Sequence, residues 1–428
     1  MKSRIVVFSS LGLLAVLTFP ASRVVQAQGT KRAQYSVRDL GTLGGANSFA
    51  YAINHSGMVA GGANTPGQND FVAQTAFLWY GGEPTSLGTL AGPNCPNCSS
   101  EGAAVSGNGT VAIISETATP DPQGEDFCEF GTHRQCLAAL WKNGTLTALP
   151  ALPGGKNAEA FYVNNQGEIV GVSEIGTRDA GCATPFQVRR FEAVKWGPSG
   201  EPTALRPLRG DTVSFAFTNN EIGQVVGFSG LCSNVTLPPF ISPNAPHAVL
   251  WDANGTPRDL GNPPGGAGDN VAVGINNHSQ ITVNSVMSDG TIHAFLWSGE
   301  LQDLGTYPAD AFITVAPCCN NVNDAGQIVG FSIDSNFNQR ALLWPGKDNA
   351  PVDLNSLLPV DSPWFLISPG GINDAGEIAA TAVNLDTFEV HAVVASPVVG
   401  IGPAARGATK PPVLPQHVRQ LLQRRAHF

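Results

Sequence analysis

Short apolar segments recur at regular spacing along the chain. One reads Ala-Phe-Leu-Trp at 76–79, and a matching segment ends at each of Trp141, Trp196, Trp251, Trp297 and Trp344. A degenerate seventh copy is Ala-Val-Val-Ala at 392–395. The body of the chain has almost no helical periodicity, so these segments predict β-strands.

A second motif precedes each of these segments. It is clearest from Ile53 to Gly61, with counterparts beginning at 163, 219, 275, 322 and 372 and a worn copy at 105. Its Gly, or the residue that replaces it, stands at 57, 109, 167, 223, 279, 326 and 376, about 53 residues apart on average. Seven copies of a period near 50 with short strands are typical of propeller blades.

Each repeat has the residues for four strands. The first strand runs into an Asn position, which Ile or Val precedes in six of the seven copies. Four positions before the Asn lies a small residue that suits the crowded axis: Ala50, Gly102, Ala160, Ala216 or Ala272. Asn-Asp-Ala-Gly, as at 323–326, then predicts a tight hairpin turn. The second strand is of the Val59–Gly61 type, the Trp segment is the third, and an Asp-Leu-Gly segment such as 259–261 is the fourth.

The order of these strands also predicts how the ring closes. A strand of the fourth type, Tyr35 to Leu43, precedes the first repeat, whereas the seventh repeat ends near Ala395 without one. The N-terminal strand can complete the last blade and remove the open sheet edge. We therefore predict an all-β, seven-bladed propeller closed by its N-terminal strand. A solenoid is the alternative, but it gives no reason for the displaced strand.

These motifs resemble a known family. Asp39-Leu40-Gly41-Thr42-Leu43-Gly44-Gly45, His293-Ala294-Phe295-Leu296-Trp297 and the 53–61 motif are similar to those of the HAF-repeat proteins. The resemblance covers roughly residues 35–396. It implies a bacterial, extracellular repeat protein, and it supplies neither a settled activity nor catalytic residues.

The N-terminus predicts export. Lys2 and Arg4 precede a largely apolar stretch that ends at Pro20, and Val25-Gln26-Ala27 suits signal-peptide cleavage. We expect a signal peptide at 1–27, a propeller at 28–397, and a Pro/Gly linker with a basic tail at 398–428. The mature chain has no apolar run long enough to span a membrane, and a secreted or periplasmic protein is expected.

Charge and composition narrow the class further. Only 13% of residues are charged and 42% are hydrophobic, which excludes disorder and a coiled coil. The formal net charge is −10, and residues 1–27 contain three bases and no acid, so the mature chain is more acidic still. Such a body argues against nucleic-acid binding. The last 23 residues contain five bases and no acid, and we expect them to form a solvated, frayed terminus.

The loops between the second and third strands are long in blades 1–4 and short in blades 5–7. Strand alternation places them on the same rim as the crossings between blades, so one sector of that rim is a candidate binding surface. Tolerated surface insertions are an equally good explanation.

An even number of cysteines in an exported chain favours disulfides. We predict the pairs Cys128–Cys136 and Cys182–Cys232, with Cys95–Cys98 as a small local ring. A redox role for Cys95 and Cys98 has no accompanying thioredoxin-like pattern, and Cys318 and Cys319 are left unassigned.

Signatures of catalysis are mostly absent, and no cofactor or metal is predicted. His247, His293 and His391 share one repeat position, which favours a common packing or hydrogen-bonding role over a metal ring. The Asn/Asp/Gly turns lack the closing Glu of a calcium-binding EF-hand loop. The most enzyme-like patch is Glu125, Asp126, Glu129 and His133 in the longest loop, where paired carboxylates would serve glycan hydrolysis. A solvated acidic loop is the simpler interpretation.

Two functional hypotheses follow, with a third, plainer one. The first is a non-enzymatic extracellular propeller that binds a glycan, peptide or protein on the rim formed by the long loops. The second is a secreted hydrolase or lyase that acts on a glycan with the loop carboxylates. The third is a structural component of the cell surface. Propellers support many unrelated functions, so the fold does not decide among them.

Overall fold

The strands form seven antiparallel blades arranged as a propeller. Blades 5 and 6 are joined into one sheet by a parallel pairing of Ile292 with Ile313. The structure is a computed structural model, and it describes residues 34–68, 73–182, 187–233, 247–307, 310, 313–315, 320–334, 338–399, 403–407, 412, 414–416 and 418–419. The all-β class, the seven blades and the four strands per blade are therefore confirmed. The proposed signal peptide at 1–27 lies outside the described residues.

In each blade the strands follow one another outward from the axis. Blade 1 contains β2 (Ser48–Ile53), β3 (Val59–Ala63), β4 (Thr75–Trp79) and β5 (Thr85–Gly88). Blade 2 contains β6 (Ser100–Val105), β7 (Val111–Pro120), β8 (Arg134–Lys142) and β9 (Thr145–Ala148). Blade 3 contains β10 (Ala158–Val163), β11 (Ile169–Arg178), β12 (Arg189–Trp196) and β13 (Pro202–Leu205). Blade 4 contains β14 (Val213–Asn219), β15 (Val225–Gly230), β16 (His247–Trp251) and β17 (Pro257–Asp259).

The later blades follow the same plan. Blade 5 contains β18 (Gly266–Ile275), β19 (Ile281–Met287), β20 (Ile292–Trp297) and β21 (Leu301–Asp303). Blade 6 contains β22 (Ile313–Val315), β23 (Ile328–Ile333), β24 (Gln339–Trp344) and β25 (Val352–Asp353), followed by a 3-10 helix at Leu354–Leu357. Blade 7 contains β26 (Trp364–Ile372), β27 (Ile378–Asn384) and β28 (Val390–Pro397).

The N-terminal strand closes the ring. Strand β1 (Tyr35–Asp39) pairs antiparallel with β28, from Tyr35 opposite Pro397 to Asp39 opposite Val393. It is the outermost strand of blade 7, as the displaced Asp-Leu-Gly segment predicts. The first and last parts of the propeller are thus joined by a sheet ladder.

The small residues of the inner strands lie at a repeated β-bulge. The ladder between the first and second strands shifts register next to Ala50, Gly102, Ala160, Ala216 and Ala272. The bulge brings the inner strand's carbonyl onto the facing glycine. A Cβ at Gly61 would lie 1.9 Å from the carbonyl oxygen of Phe49, and one at Gly227 would lie 1.8 Å from that of Phe215. The Gly of the second strand is required by this close approach.

The Asn that ends the first strand joins neighbouring blades. Its side-chain Nδ2 donates to the backbone carbonyl of the equivalent residue in the next blade, while its Oδ1 accepts backbone N–H groups of its own turn. Six such bonds, of 2.8–3.1 Å, start from Asn54, Asn164, Asn220, Asn276, Asn323 and Asn373. The bond from Asn373 to the carbonyl of Asn54 crosses the seam between blades 7 and 1. Blade 2 has Ser106 at this position, and its shorter side chain bonds only within its own turn. We call this set the asparagine ring.

The C-terminal segment is partly docked on the propeller. Leu414 and Val418 are buried against inner-strand residues of blades 1 and 7, among them Phe49 and Phe365. Earlier in this segment, the carbonyl of Ala404 accepts the N–H of Val360 at 3.0 Å. The expectation of a frayed, solvated terminus is wrong at these positions, because apolar residues within the basic tail bury themselves on the propeller.

Candidate functional site

We call the face that carries the second-to-third strand loops and the blade crossings the loop face, and the opposite one the turn face. All three predicted disulfides lie on the loop face and are present. The Cα–Cα distances are 5.6 Å for Cys128–Cys136, 4.7 Å for Cys182–Cys232 and 5.3 Å for Cys95–Cys98. The Cys182–Cys232 bond ties the long loop of blade 3 to that of blade 4. Cys318 and Cys319 lie outside the described residues.

The long loop of blade 2, residues 121–133, folds inward. Phe127 and Phe130 are 2% and 6% exposed and join a core cluster with the inner-strand phenylalanines of blades 3 and 4. One Oδ of Asp121 accepts the N–H groups of Gln123 and Glu125, and the other accepts Nδ2 of Asn157 in the next crossing. The loop is thus a fixed part of the domain rather than a loose insertion.

Glu125 is buried beside a second carboxyl group. Its Oε1 accepts the N–H of Val188, while Glu174 accepts the N–H groups of Lys156 and Asn157. The remaining oxygens, Oε2 of Glu125 and Oε1 of Glu174, are buried, and neither has another hydrogen-bond partner among the described residues. Burial, and then the charge of Glu174, raises the pKa of Glu125 to about 8. The buried carboxyl groups of Glu125 and Glu174 thus interact across blades 2 and 3.

The other predicted residues of this loop are also engaged in its fold. Both Asp126 oxygens accept the N–H of Gly131, at 3.1 and 3.0 Å. Burial, followed by neighbouring carboxylates, raises the pKa of Glu129 well above its usual range. His133 is exposed, and its Nδ1 lies 2.9 Å from the carbonyl of Gly124. Glu125 and Asp126 are therefore buried in the loop rather than solvated.

This geometry limits what the loop carboxyls can do chemically. A hydrolytic pair needs two carboxyl groups that flank an accessible substrate bond. Glu125 is fully buried, and its oxygens face Val188 and Glu174 rather than solvent. The arrangement fits a pH-sensitive structural contact between two blades.

Bases, in contrast, reach the surface of the loop face. Lys156 and Arg178 are exposed and Arg134 and Arg189 are partly exposed. The acids of the same segments, residues 116–135, 150–159 and 174–192, are all buried or half-buried. These segments contain many acids in the sequence, but the acids are buried and the bases are exposed. The surface that they form is therefore cationic. Sequence reasoning missed this feature.

Hydrogen bonds and strand register place these bases on the loop face of blades 2 and 3. Arg178 stands opposite Arg189 in the β11–β12 ladder, and Nη1 of Arg189 donates to the carbonyls of Gly176 and Gly154. Gln135, which follows Arg134, donates from Nε2 to the carbonyl of Lys156 at 2.9 Å. Arg134 itself donates from Nη1 to the carbonyl of Ala118 at 3.0 Å. The four bases thus lie at the loop-face ends of blades 2 and 3, and we call them the cationic row: Arg134, Lys156, Arg178 and Arg189.

Little in the described part of the chain neutralises the cationic row. None of its four bases has a described carboxylate within 4 Å, whereas the adjacent Arg190 is paired with Asp179 at 2.8 Å. Among the loop segments outside the described ranges, residues 183–186 and 234–246 contain no charged residue in the sequence, whereas 69–72 contain Asp70. Burial raises the pKa of Glu116, and the charge of Arg134, a base of the row, lowers it in part.

The repeated histidines have the shared hydrogen-bonding role that their position predicts. Nδ1 of His247, His293 and His391 lies 3.0 Å from a carboxylate oxygen of Asp211, Asp303 and Asp39, respectively. They lie on three different blades, each with its own partner. Within the described ranges, the cluster with metal-ligand spacing is Cys128, Cys136 and Glu159, and both of its sulfurs are in a disulfide.

Comparisons with known proteins give no family for the chain. No family model and no curated protein matches it. Among solved structures, it is similar to the β-propeller domain of the Trilobed protease from Pyrococcus furiosus, with 9% identity over 88% of this chain and 98% of that one and a TM-score of 0.46. It is also similar to the BP39L lectin from Burkholderia pseudomallei, with 12% identity over 89% and 100% and a TM-score of 0.39.

A further likeness is to an acylaminoacyl peptidase from Pyrococcus horikoshii, with 9% identity over 83% of this chain and a TM-score of 0.46. The chain spans about half the length of the acylaminoacyl peptidases that it matches. Likenesses at this level concern the architecture alone, and no function follows from them. In the described ranges, no helix is long and apolar enough to cross a membrane.

Proposed function

We propose that the protein is an exported HAF-repeat propeller that binds an anionic polysaccharide on the loop face of blades 2 and 3. The observation that carries this proposal is the cationic row on an otherwise acidic protein. The motifs at 39–45, 53–61 and 293–297 support the family, and three disulfides together with the N-terminal apolar stretch support export.

The shape of the row favours a polymer over a small anion. Its bases are spread over two blades instead of converging on one point, so they match charges repeated along a chain. Disulfides and buried loop phenylalanines fix the surface in advance, which reduces the conformational entropy lost on binding.

The first test is a thermal-shift screen of the chain from residue 28 onward. The panel contains polygalacturonate, heparin, neutral dextran, duplex DNA, anionic lipid vesicles, and Ca²⁺ and Zn²⁺ with a chelator. A ligand that binds only the folded state raises the unfolding midpoint, by ~2.7 kcal/mol at a hundredfold excess over its Kd. We expect polygalacturonate or heparin to raise it and dextran to leave it unchanged.

A variant locates the binding surface. The change Lys156→Gln with Arg178→Gln removes two exposed charges. At ~1 kcal/mol for each base facing an anionic surface, affinity should fall about 30-fold. Lys142→Gln with Lys347→Gln is the matched control, because both lysines are exposed on the turn face. Equal losses in the two variants would contradict the proposed surface, and a preference for DNA or vesicles would contradict the ligand class.

A further inference from the structure

A polar cavity of about 270 Å³ opens at the turn-face end of the central channel, opposite the cationic row. Its mouth is lined by the residue that follows each member of the asparagine ring. We call these residues the mouth ring: His55, Asn165, Glu221, Asn277, Asp324 and Asp374. Three of the six are acids, and no Lys or Arg is among the described residues that line the cavity.

The carboxylates of the mouth ring are held in place by the neighbouring blades. Glu221 accepts the N–H of Asn165 at 3.1 Å, and Asp324 accepts that of Asn277 at 2.8 Å. Asp374 accepts the N–H of Asp324 at 2.9 Å. In the described part of the chain, the second oxygens of Glu221 and Asp374 have no hydrogen-bond donor. These oxygens are available to a ligand at the cavity mouth.

Buried acceptors line the deeper part of the cavity. Asn219 is 1% exposed, and its Oδ1 has no hydrogen-bond partner among the described residues. The Oδ1 of Asn320 is likewise buried without one. Burial, and then the charges of Glu221, Asp374 and Asp324, raises the pKa of Tyr162, which lines the same cavity. An orphaned buried acceptor is costly, and a donor supplied by a ligand would relieve that cost.

We propose that this cavity binds a small organic cation that carries primary ammonium groups. An ammonium group has three N–H donors and no acceptor, which complements a cavity of carboxylate and amide oxygens. At ~30 Å³ for each water, the volume corresponds to roughly nine water molecules, so a diamine or polyamine fits. A compact metal ion is a poorer match, since no described trio of acidic, His or Cys ligand atoms at this mouth lies within 4.8 Å of one another.

The test is calorimetric titration of the chain from residue 28 onward with putrescine and spermidine. The control ligand is 1,4-butanediol, which replaces both ammonium groups of putrescine by hydroxyls. We expect saturable binding of the amines and none of the diol. Absence of amine binding at millimolar concentration, or equal binding of the diol, would overturn the proposal.

The matching variant is Glu221→Gln with Asp374→Asn, which neutralises the two acids whose second oxygens are available. The fold should tolerate it, because Asn277 makes the same bond to the Glu221 N–H, at 3.0 Å, with an amide oxygen. Loss of two charge-assisted bonds should weaken amine binding about a hundredfold, at about tenfold each. Glu300→Gln is the matched control, since Glu300 is an exposed acid on the same face outside the cavity. Unchanged affinity in the double variant would also overturn the proposal.

Discussion

If the asparagine ring holds neighbouring blades together, one substitution in it should destabilise the protein and another should stabilise it. Asn373→Ser should remove the bond across the seam, because Ser106 shows that a serine at this position bonds only within its own turn. Ser106→Asn should add the missing seventh bond, to the carbonyl of Asn164. The carbonyl of Asn54 also accepts the N–H of Gly57 at 3.1 Å, so it is not orphaned when the seam bond is lost. Nδ2 of Asn373 also donates to Oε2 of Glu377 at 2.9 Å, so Asn373→Ser should cost the net value of one to two hydrogen bonds, whereas Ser106→Asn should gain that of one, at about 0.5–1.5 kcal/mol each.

The size of this effect decides the assay. A change of ~1 kcal/mol in the free energy of unfolding moves the thermal midpoint of a domain of 150–250 residues by ~2–4 °C. This propeller is longer, so its midpoint should move by less. Equilibrium unfolding in urea at fixed m-value is more sensitive. Asn254→Ser, at an exposed turn, is the matched control. Equal midpoints for the two ring variants, or stabilisation by Asn373→Ser, would refute the assigned role of the ring.

Three further predictions concern the loop face and the core. The pKa of Glu125 is raised from 4.5 to about 8, so between these pH values the folded protein retains a proton that the unfolded chain releases, and the free energy of unfolding should fall as pH rises. The variant Glu125→Gln should make this fall smaller in urea titrations at several pH values. An unchanged pH dependence would contradict the interaction of Glu125 with Glu174. Replacing Cys182 and Cys232 by Ser should lower the free energy of unfolding by about 4 kcal/mol, because their disulfide closes a loop of 50 residues. An unchanged unfolding midpoint under oxidising conditions would argue against this disulfide. Arg340 is 2% exposed and pairs with Asp310 and Asp353. Asp310→Ala should lower the free energy of unfolding by about 3–5 kcal/mol, and by more than the control Asp361→Ala at an exposed position. A loss below 1 kcal/mol in urea unfolding would contradict a strong buried pair.

Much of the fold follows from local sequence patterns. The strand positions, the closure by Tyr35–Asp39 and the disulfide pairs could be predicted, because each repeat carries its own apolar spacing, turn glycine and loop length. The resemblance of Asp39–Gly45 to HAF repeats stays a proposal. The Asn at the end of the first strand was recognised as a turn residue only, since its contact to the next blade requires two neighbouring repeats in space.

The candidate site was less predictable. Glu125 and Asp126 attract attention in the sequence, but burial removes them from the surface and leaves Lys156 and Arg178 there. Which charges face solvent depends on the inward fold of the 121–133 loop and on the β11–β12 register. Neither has a local sequence signal.

The most direct measurement of the central claim is the affinity for polygalacturonate as a function of NaCl concentration. Wild type, the Lys156→Gln/Arg178→Gln variant and the Lys142→Gln/Lys347→Gln control would be compared at each concentration. Salt screens charges separated by more than ~8 Å at physiological ionic strength. We predict tight, salt-sensitive binding by wild type and control, with weaker and less salt-dependent binding by the variant of the cationic row. Identical affinities and salt dependences for all three proteins would contradict the account.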